Sequence, residues 1–346
     1  MLGVVGGMLL GGTPVAVPAR GQTTPSPVTV PSPSAAVPSV ASSPSSAALD
    51  ANAENDSRLQ DTVRRGAPRH AILRAQILLD HAHFSVGEID GGYGANTRRA
   101  IAAFQRARDL PETGEVDAAT WTALNRDTAP PLVPYVLTAQ DVAGPFTPVP
   151  RKMMDKANLE TLNYSSVLEE LGEKFHVAPT LLVELNRGRS IANAGDQITV
   201  PNIVYGPLPD VREIVVDESD RSLSVIDAMG AVFARYPATT GSSHDPLPIG
   251  SWRVNGIAHY PPFHYNPRLF WDAEASDRKA TIAPGPNNPV GVVWIDLSKD
   301  HYGIHGTPEP GTIGRSQSHG CIRLTNWSAE ELSQIVRYGT PAILQE

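Results

Sequence analysis

The period of the hydrophobic pattern changes along this chain, and that change limits what it can fold into. Between residues 68 and 125 the spacing is helical. Ile72, Ala75, Gln76 and Leu79 fall at i, i+3, i+4 and i+7, which places them on one helix face. From Val211 onward the period is two. Ile214 and Val216, Leu223 and Val225, then Val232, Ala234 and Tyr236 alternate with their neighbours, and Met229-Gly230 forms a turn before the last set. That alternation is the signature of strands joined as a hairpin. One layer of structure cannot satisfy both periods. The 346 residues therefore read as a multidomain chain, helical first and mainly β at the end.

Residues 1–50 follow neither period. They hold two charges, Arg20 and Asp50, and eight prolines among mostly small residues. Such a segment buries too little apolar area to offset chain entropy, so residues 20–57 read as a disordered tether. Residues 1–19 resemble the apolar core and cleavage end of a signal peptide, with Val17-Pro18-Ala19 as the small-residue site. The basic segment that opens such signals is missing. Either the true start lies upstream or the stretch is not a signal. The expectation is export to the periplasm, across which a Pro/Ser/Ala tether can reach.

Composition narrows the chemistry. A net charge of −8 argues against a nucleic-acid-binding surface. The single cysteine excludes an intramolecular disulfide and a Cys-rich zinc site. His81 and His83 have no third ligand at suitable spacing, so neither a metal nor another cofactor is expected. No run of 18 apolar residues is present.

Two further modules are legible. After the first helix come the Asp90–Gly94 turn, a helix with Thr97, Ala100, Ile101 and Phe104 on one side, and a turn at Thr113–Asp117. Asp117 is placed to N-cap a short helix through Trp121 and Leu124. This order over residues 68–125 resembles the small three-helix peptidoglycan-binding domain; a plain helical spacer is the other reading. Residues 130–150 are proline-rich and read partly as linker. Helices are expected at Ser165–Phe175 and Pro179–Leu185, then a strand ending at Pro201. The stretch resembles the second half of a LysM module, a glycan-binding βααβ unit. Tyr135–Thr138 would be its first strand, giving a module at 135–203 with an insertion. A further strand is expected over Val290–Leu297.

The chemistry concentrates in Ile304-His305-Gly306-Thr307 and Ser318-His319-Gly320-Cys321-Ile322-Arg323. A thiol is nucleophilic as thiolate, and a nearby imidazole can take its proton. Gly320 permits a tight turn and close substrate approach. Backbone N–H groups near Gly320 and Cys321 can hold an oxyanion, and Arg323 can bind a carboxylate.

This motif, with Leu247-Pro248-Ile249-Gly250, Tyr265-Asn266-Pro267 and Pro284–Gly291 upstream, resembles the L,D-transpeptidase (YkuD-type) catalytic domain over 211–346. The resemblance implies a mainly β, sandwich-like domain. It implies Cys321 as nucleophile, His305 as general base and the Gly306 carbonyl orienting the imidazole. His319 would shape the oxyanion site and the field at the thiolate. Arg323 would engage the donor peptide, with Ser318 in the turn. The aromatics of residues 260–271 either line a substrate groove or pack an extended flap, and Tyr265 is the candidate among them for the substrate side. The thiol pKa is expected below that of a free thiol. The partners implied are peptidoglycan stem peptides and glycan, an outer-membrane protein or lipoprotein as acceptor, and carbapenem inhibitors. The implied reaction forms 3→3 cross-links through a cysteine thioester. An L,D-carboxypeptidase or endopeptidase using water, and a non-catalytic wall-binding protein, are the competing readings.

Overall fold

In the computed structural model, residues 54–203, 206 and 208–346 are described. The signal-like stretch and the tether through residue 53 lie outside the described residues. The folded body begins earlier than the expected tether end at residue 57. Glu54 is fully buried. The Asn55 amide pairs with Leu132, donating from Nδ2 to its carbonyl at 2.9 Å and accepting from its N–H at 2.9 Å. A side chain here copies the donor–acceptor pair of a strand, and its partner is too distant in sequence for local composition to show it.

The helical module contains α1 (Arg69–His81), α2 (Ala95–Ala107) and α3 (Ala118–Leu124). Leu73, Ile77, Ile101, Phe104 and Trp121 form its core. Asp117 caps α3 as expected, accepting from the Thr120 N–H at 2.8 Å. Two buried glutamines fasten the turns. Gln76 accepts from the amides of Asp90 (3.2 Å) and Gly91 (2.8 Å) and donates to Asp90 Oδ1, the Gly92 carbonyl and Thr97. Gln105 does the same for the second turn, with the Gly114 amide and with Thr113, Glu115 and Thr120.

The middle unit runs β1 (Leu132–Val136), α4 (Met153–Lys156), α5 (Val167–Lys174), α6 (Pro179–Leu185) and β2 (Gln197–Pro201). β1 and β2 pair antiparallel, Tyr135 opposite Ile198. Ser166 caps α5, and Pro179 opens α6, where its missing N–H costs nothing. The proline-rich 130–150 stretch is less of a linker than its composition suggests. It supplies β1 and a 3-10 turn at Gln140–Val142, pinned by buried Asp141, which accepts from Tyr135, Thr138 and Lys174. The following insertion has a packing role: Leu162, Met153 and Met154 pack with Tyr265 and Ile282 of the last module.

That module is a sheet of β3 (Val211–Asp217), β4 (Ser222–Asp227), β5 (Val232–Pro237), β6 (Gly250–His259), β9 (Val293–Leu297), β10 (Gly303–His305), β11 (Ile322–Arg323) and β12 (Pro341–Gln345). The order is β11-β10-β9-β6-β12-β3-β4-β5. Only β10/β11 and β12/β3 are parallel pairs. Strand β6 serves two layers. Its first half pairs with β12 and its second with β9, with an irregularity between Val254 and Gly256. The sheet curls far enough for Thr239, just past β5, to bridge to Arg323 at the opposite edge. Helix α7 (Asn326–Ile335) covers one side, and a flap is built on the hairpin β7 (Phe263–Tyr265) and β8 (Ala280–Ile282). The expected strand at Val290–Leu297 starts only at Val293, because Gly291 turns at φ +64° with its amide on the Asn288 carbonyl.

The modules share backbone. His83–Ser85 extends the sheet at β5, through Arg235 N–H to the His83 carbonyl and Ser85 N–H to the Arg235 carbonyl. Ile89 likewise pairs with His176 and Ala178. No helix among the described residues is long and apolar enough to cross a membrane.

Replacing Gln76 by Leu strands the amides of Asp90 and Gly91, each unpaired donor costing about 1–3 kcal/mol. The expected result is a lower urea midpoint and faster hydrogen exchange at Asp90 and Gly91. Exchange unchanged at those two amides would contradict this account of the turn.

Candidate active site

Three adjacent strands set the site by register. Trp294 on β9 is opposite His305 on β10, and His305 is opposite Arg323 on β11. Side chains two residues apart on a strand share a face. Extending the register back one residue brings Cys321 beside Gly303, whose amide reaches the sulfur. Cys321, Arg323 and His305 therefore project from one face.

His305 is buried and stacks on Trp294, ring centroids 5.5 Å apart and planes 17° from parallel. Its Nδ1 lies 2.7 Å from the Gly306 carbonyl oxygen. A carbonyl can only accept, so Nδ1 carries the proton and Nε2 keeps a lone pair. Burial pulls the imidazole pKa down to about 3; the Arg323 charge acts in the same direction, and the Gly306 bond opposes both. Imidazolium is thus disfavoured by roughly 5 kcal/mol relative to a free histidine. The ring is neutral and oriented as a base.

The thiol differs from expectation. Burial pushes the Cys321 pKa up, not down; the Gly303 amide and Arg323 offset this only in part. Its sulfur is 3.8 Å from the His301 carbonyl, a weak contact that suits S–H. The Gly303 amide and Arg323 favour the thiolate less than burial disfavours it, so the resting pair is thiol and neutral imidazole. The turn presenting the sulfur is rigid. Gly320 has φ +93°, and a Cβ there would lie 2.8 Å from the Tyr302 ring. Ser318 is buried, donating from Oγ to the Cys321 carbonyl at 2.6 Å, with its amide on the Gly241 carbonyl. Its role is to hold the turn rather than to face substrate.

Arg323 exchanges both backbone hydrogen bonds with Thr239, and burial lowers its pKa. Its Nη2 is 3.5 Å from His319 Nδ1, and His319 Nε2 is 2.9 Å from Asp272 Oδ1 in the flap. His319 thus links the flap to Arg323. Phe270 and Trp271 stand against its ring, at 4.9 and 5.4 Å. Tyr265 is not on the substrate side. It is buried in the flap with Phe263 and Phe270, and its hydroxyl donates to Asp277 at 2.7 Å. Exposed Tyr260, Leu269 and Trp271 are the apolar groups the flap leaves open.

Sequence reasoning did not assign Trp294, Gly303, Asp272 or Asn326 to the site. A Cβ at Gly303 would meet the Trp294 ring at 2.5 Å, and one at Gly306 would meet Asn326 Oδ1 at 2.2 Å. The only signal for these was their nearness to the motif. The histidines flagged for metal are paired elsewhere. His81 contacts Asp127 and the Asn202 carbonyl, and His83 contacts Glu331. Among the described residues no cluster of three or more metal-ligating side chains occurs.

The neutral pair predicts a particular pH profile. Alkylation of Cys321 rises with pH to a midpoint above the free-thiol value of about 8.5, without the low-pH plateau of a thiolate–imidazolium pair. Because the folded His305 pKa is depressed, it stays unprotonated well below its ordinary value, so no loss of base function appears near pH 6.5. Iodoacetamide kinetics from pH 5 to 10 check both points; a plateau at pH 5–7 would contradict them.

Residues 211–344 match the YkuD model, described as the L,D-transpeptidase catalytic domain. Residues 69–124 match a model described as "Putative peptidoglycan binding domain". The "Putative L,D-transpeptidase YkuD" of Bacillus licheniformis is 53% identical over 175 residues, 50% of this chain and 90% of that protein. The protein of the same name in Bacillus subtilis is 53% identical over 174 residues, again 50% and 90%. Among solved structures, an L,D-transpeptidase from Xylanimonas cellulosilytica is 16% identical, covering 82% of this chain and 94% of that one, with a TM-score of 0.34. With 53% identity across 90% of each Bacillus relative, and the match of residues 211–344 to the catalytic-domain model, the chain belongs to the L,D-transpeptidase family, its YkuD catalytic domain preceded by a domain of the peptidoglycan-binding type.

Proposed function

We propose that the enzyme forms 3→3 cross-links between peptidoglycan stem peptides through a thioester on Cys321. The observation that carries this reading is the imidazole of His305, neutral, with Nδ1–H held by Gly306 and Nε2 free on the face that bears Cys321. As the peptide carbonyl of the third stem residue approaches, Nε2 takes the thiol proton and the sulfur bonds to the carbonyl carbon. Transfer in concert with attack suits a resting thiol, because neither a free thiolate nor a lasting buried imidazolium is needed. Backbone amides around Gly320 and Cys321 stabilise the oxyanion. Collapse breaks the C–N bond, and His305 returns the proton to the leaving D-Ala amine. An amine of a second stem then attacks the thioester, gives its proton to Nε2, and the thiol is regenerated by that proton.

Arg323, held by Thr239 and His319, is placed to attract a donor carboxylate. The helical module, and the middle unit if it acts as a LysM module does, would hold glycan near the site. A carbapenem would acylate Cys321 through the same attack. The setting for such a substrate is the cell envelope, the periplasm where an outer membrane is present, and there a protein lysine is a further acceptor.

Incubation with a diaminopimelate tetrapeptide muropeptide should yield dimers lacking one D-Ala, read by mass spectrometry. Cys321→Ala should abolish them, and His305→Ala should lower kcat/KM by about 10²–10⁴-fold. Tripeptide alone, even with amine acceptors supplied, would replace transpeptidation by hydrolysis. Turnover that survives in Cys321→Ala would overturn the mechanism.

A further inference from the structure

We propose that Glu173, on α5 of the middle unit, is a positioning residue for His305, acting through Asn326. The chain of contacts is short. Glu173 is half-buried between modules, and its two carboxyl oxygens lie 2.8 and 3.0 Å from Asn326 Nδ2. The other Nδ2 hydrogen faces the Pro286 carbonyl at 3.1 Å. With two acceptors at Nδ2, the Asn326 amide can adopt only one orientation, with Oδ1 toward the Val292 N–H at 3.3 Å. In that orientation Oδ1 fills the space beside Gly291 and Gly306, where added Cβ atoms would come within 2.0 and 2.2 Å of it. Gly306 is the residue whose carbonyl fixes the His305 tautomer at 2.7 Å. The middle unit thus supplies an acceptor that sets an amide, the amide seats a backbone segment, and that segment orients the base.

The surroundings of Glu173 suit an acceptor rather than an ion. Burial pushes its carboxyl up to about 8, with Glu169 and Glu330 acting in the same direction, while Asn326 and the Tyr164 hydroxyl at 3.3 Å pull it down. Near neutral pH it is protonated, and its carbonyl oxygen serves Asn326. A glutamine supplies that oxygen; a leucine of similar volume does not. The next residue on α7, Trp327, stacks on His176 of the middle unit at 5.0 Å and 12°, so the helix start is held from the same side.

The inference rests on His305 as the base, and the test separates the two. Muropeptide turnover by the wild type compared with His305→Ala tests the base assignment. The His305 Nδ1 proton, followed by NMR in histidine-labelled protein without substrate, tests the coupling. In Glu173→Leu we expect kcat to fall at least about tenfold with KM unchanged, as small displacements of reacting groups do, and the Nδ1 proton to lose protection from exchange. Glu173→Gln should restore both. A folded Glu173→Leu with wild-type kcat and a protected Nδ1 proton would overturn the proposal, and so would a loss that Gln fails to rescue. If the leucine variant does not fold, Asn326→Ser carries the same readouts from the other end: loss of protection supports the chain of contacts, and retained protection refutes it.

Discussion

One amide side chain, that of Asn326, meets more of this structure than its size suggests. It receives the Val292 N–H, gives hydrogens to Pro286 and Glu173, and fills the space left by Gly291 and Gly306. It is also the first residue of α7, capped by Thr325 through the Ser328 amide. An amide with every donor and acceptor engaged has one orientation, and a buried network satisfied in this way is rigid. The backbone around His305 is defined because Asn326 leaves it nowhere else to go.

Helix α7 extends the same logic outward. Asn326 and Trp327 meet Glu173 and His176 of the middle unit, and Glu331 meets His83 of the helical module at 2.6 Å. The modules are thus packed around one helix rather than strung along linkers. Shared backbone at Arg235 and at Ile89 adds to this. The insertion in the middle unit then gains a physical meaning, since its apolar residues and Leu162 form the floor on which the flap rests. The flap meets the catalytic strands through Asp272, His319 and Arg323, so one guanidinium faces both the flap and the nucleophile.

The electrostatics follow from burial more than from charge pairing. His305 is neutral chiefly because its ring is buried, and desolvation likewise raises the Cys321 pKa. Sequence reasoning singled out both residues, which the strand register sets on one face. It put the thiol on the wrong side of its ordinary range, since a histidine near a cysteine in sequence suggests an ion pair, whereas the sign of the shift depends on how much water the fold removes. For Tyr265 the sequence left a groove and a packed flap both open; its bond to Asp277 and its contacts with Phe263 and Phe270 make it part of the flap's own core.

The sequence by itself determined what depends on neighbours along the chain. That includes the helical face around Ile72 and Leu79, the Asp117 cap, the alternating strands from Val211, and the glycine that lets Cys321 be presented on a turn. It also singled out Cys321 and His305, because their residue types occur in an uncommon order. Only the tertiary structure decided what depends on partners far apart: the Asn55 pairing with Leu132, the start of β9 at Val293, the tautomer of His305 and the contact of Glu173 with Asn326. These rest on desolvation and on hydrogen bonds between residues that share no local pattern, and both quantities exist only once the chain has closed around them.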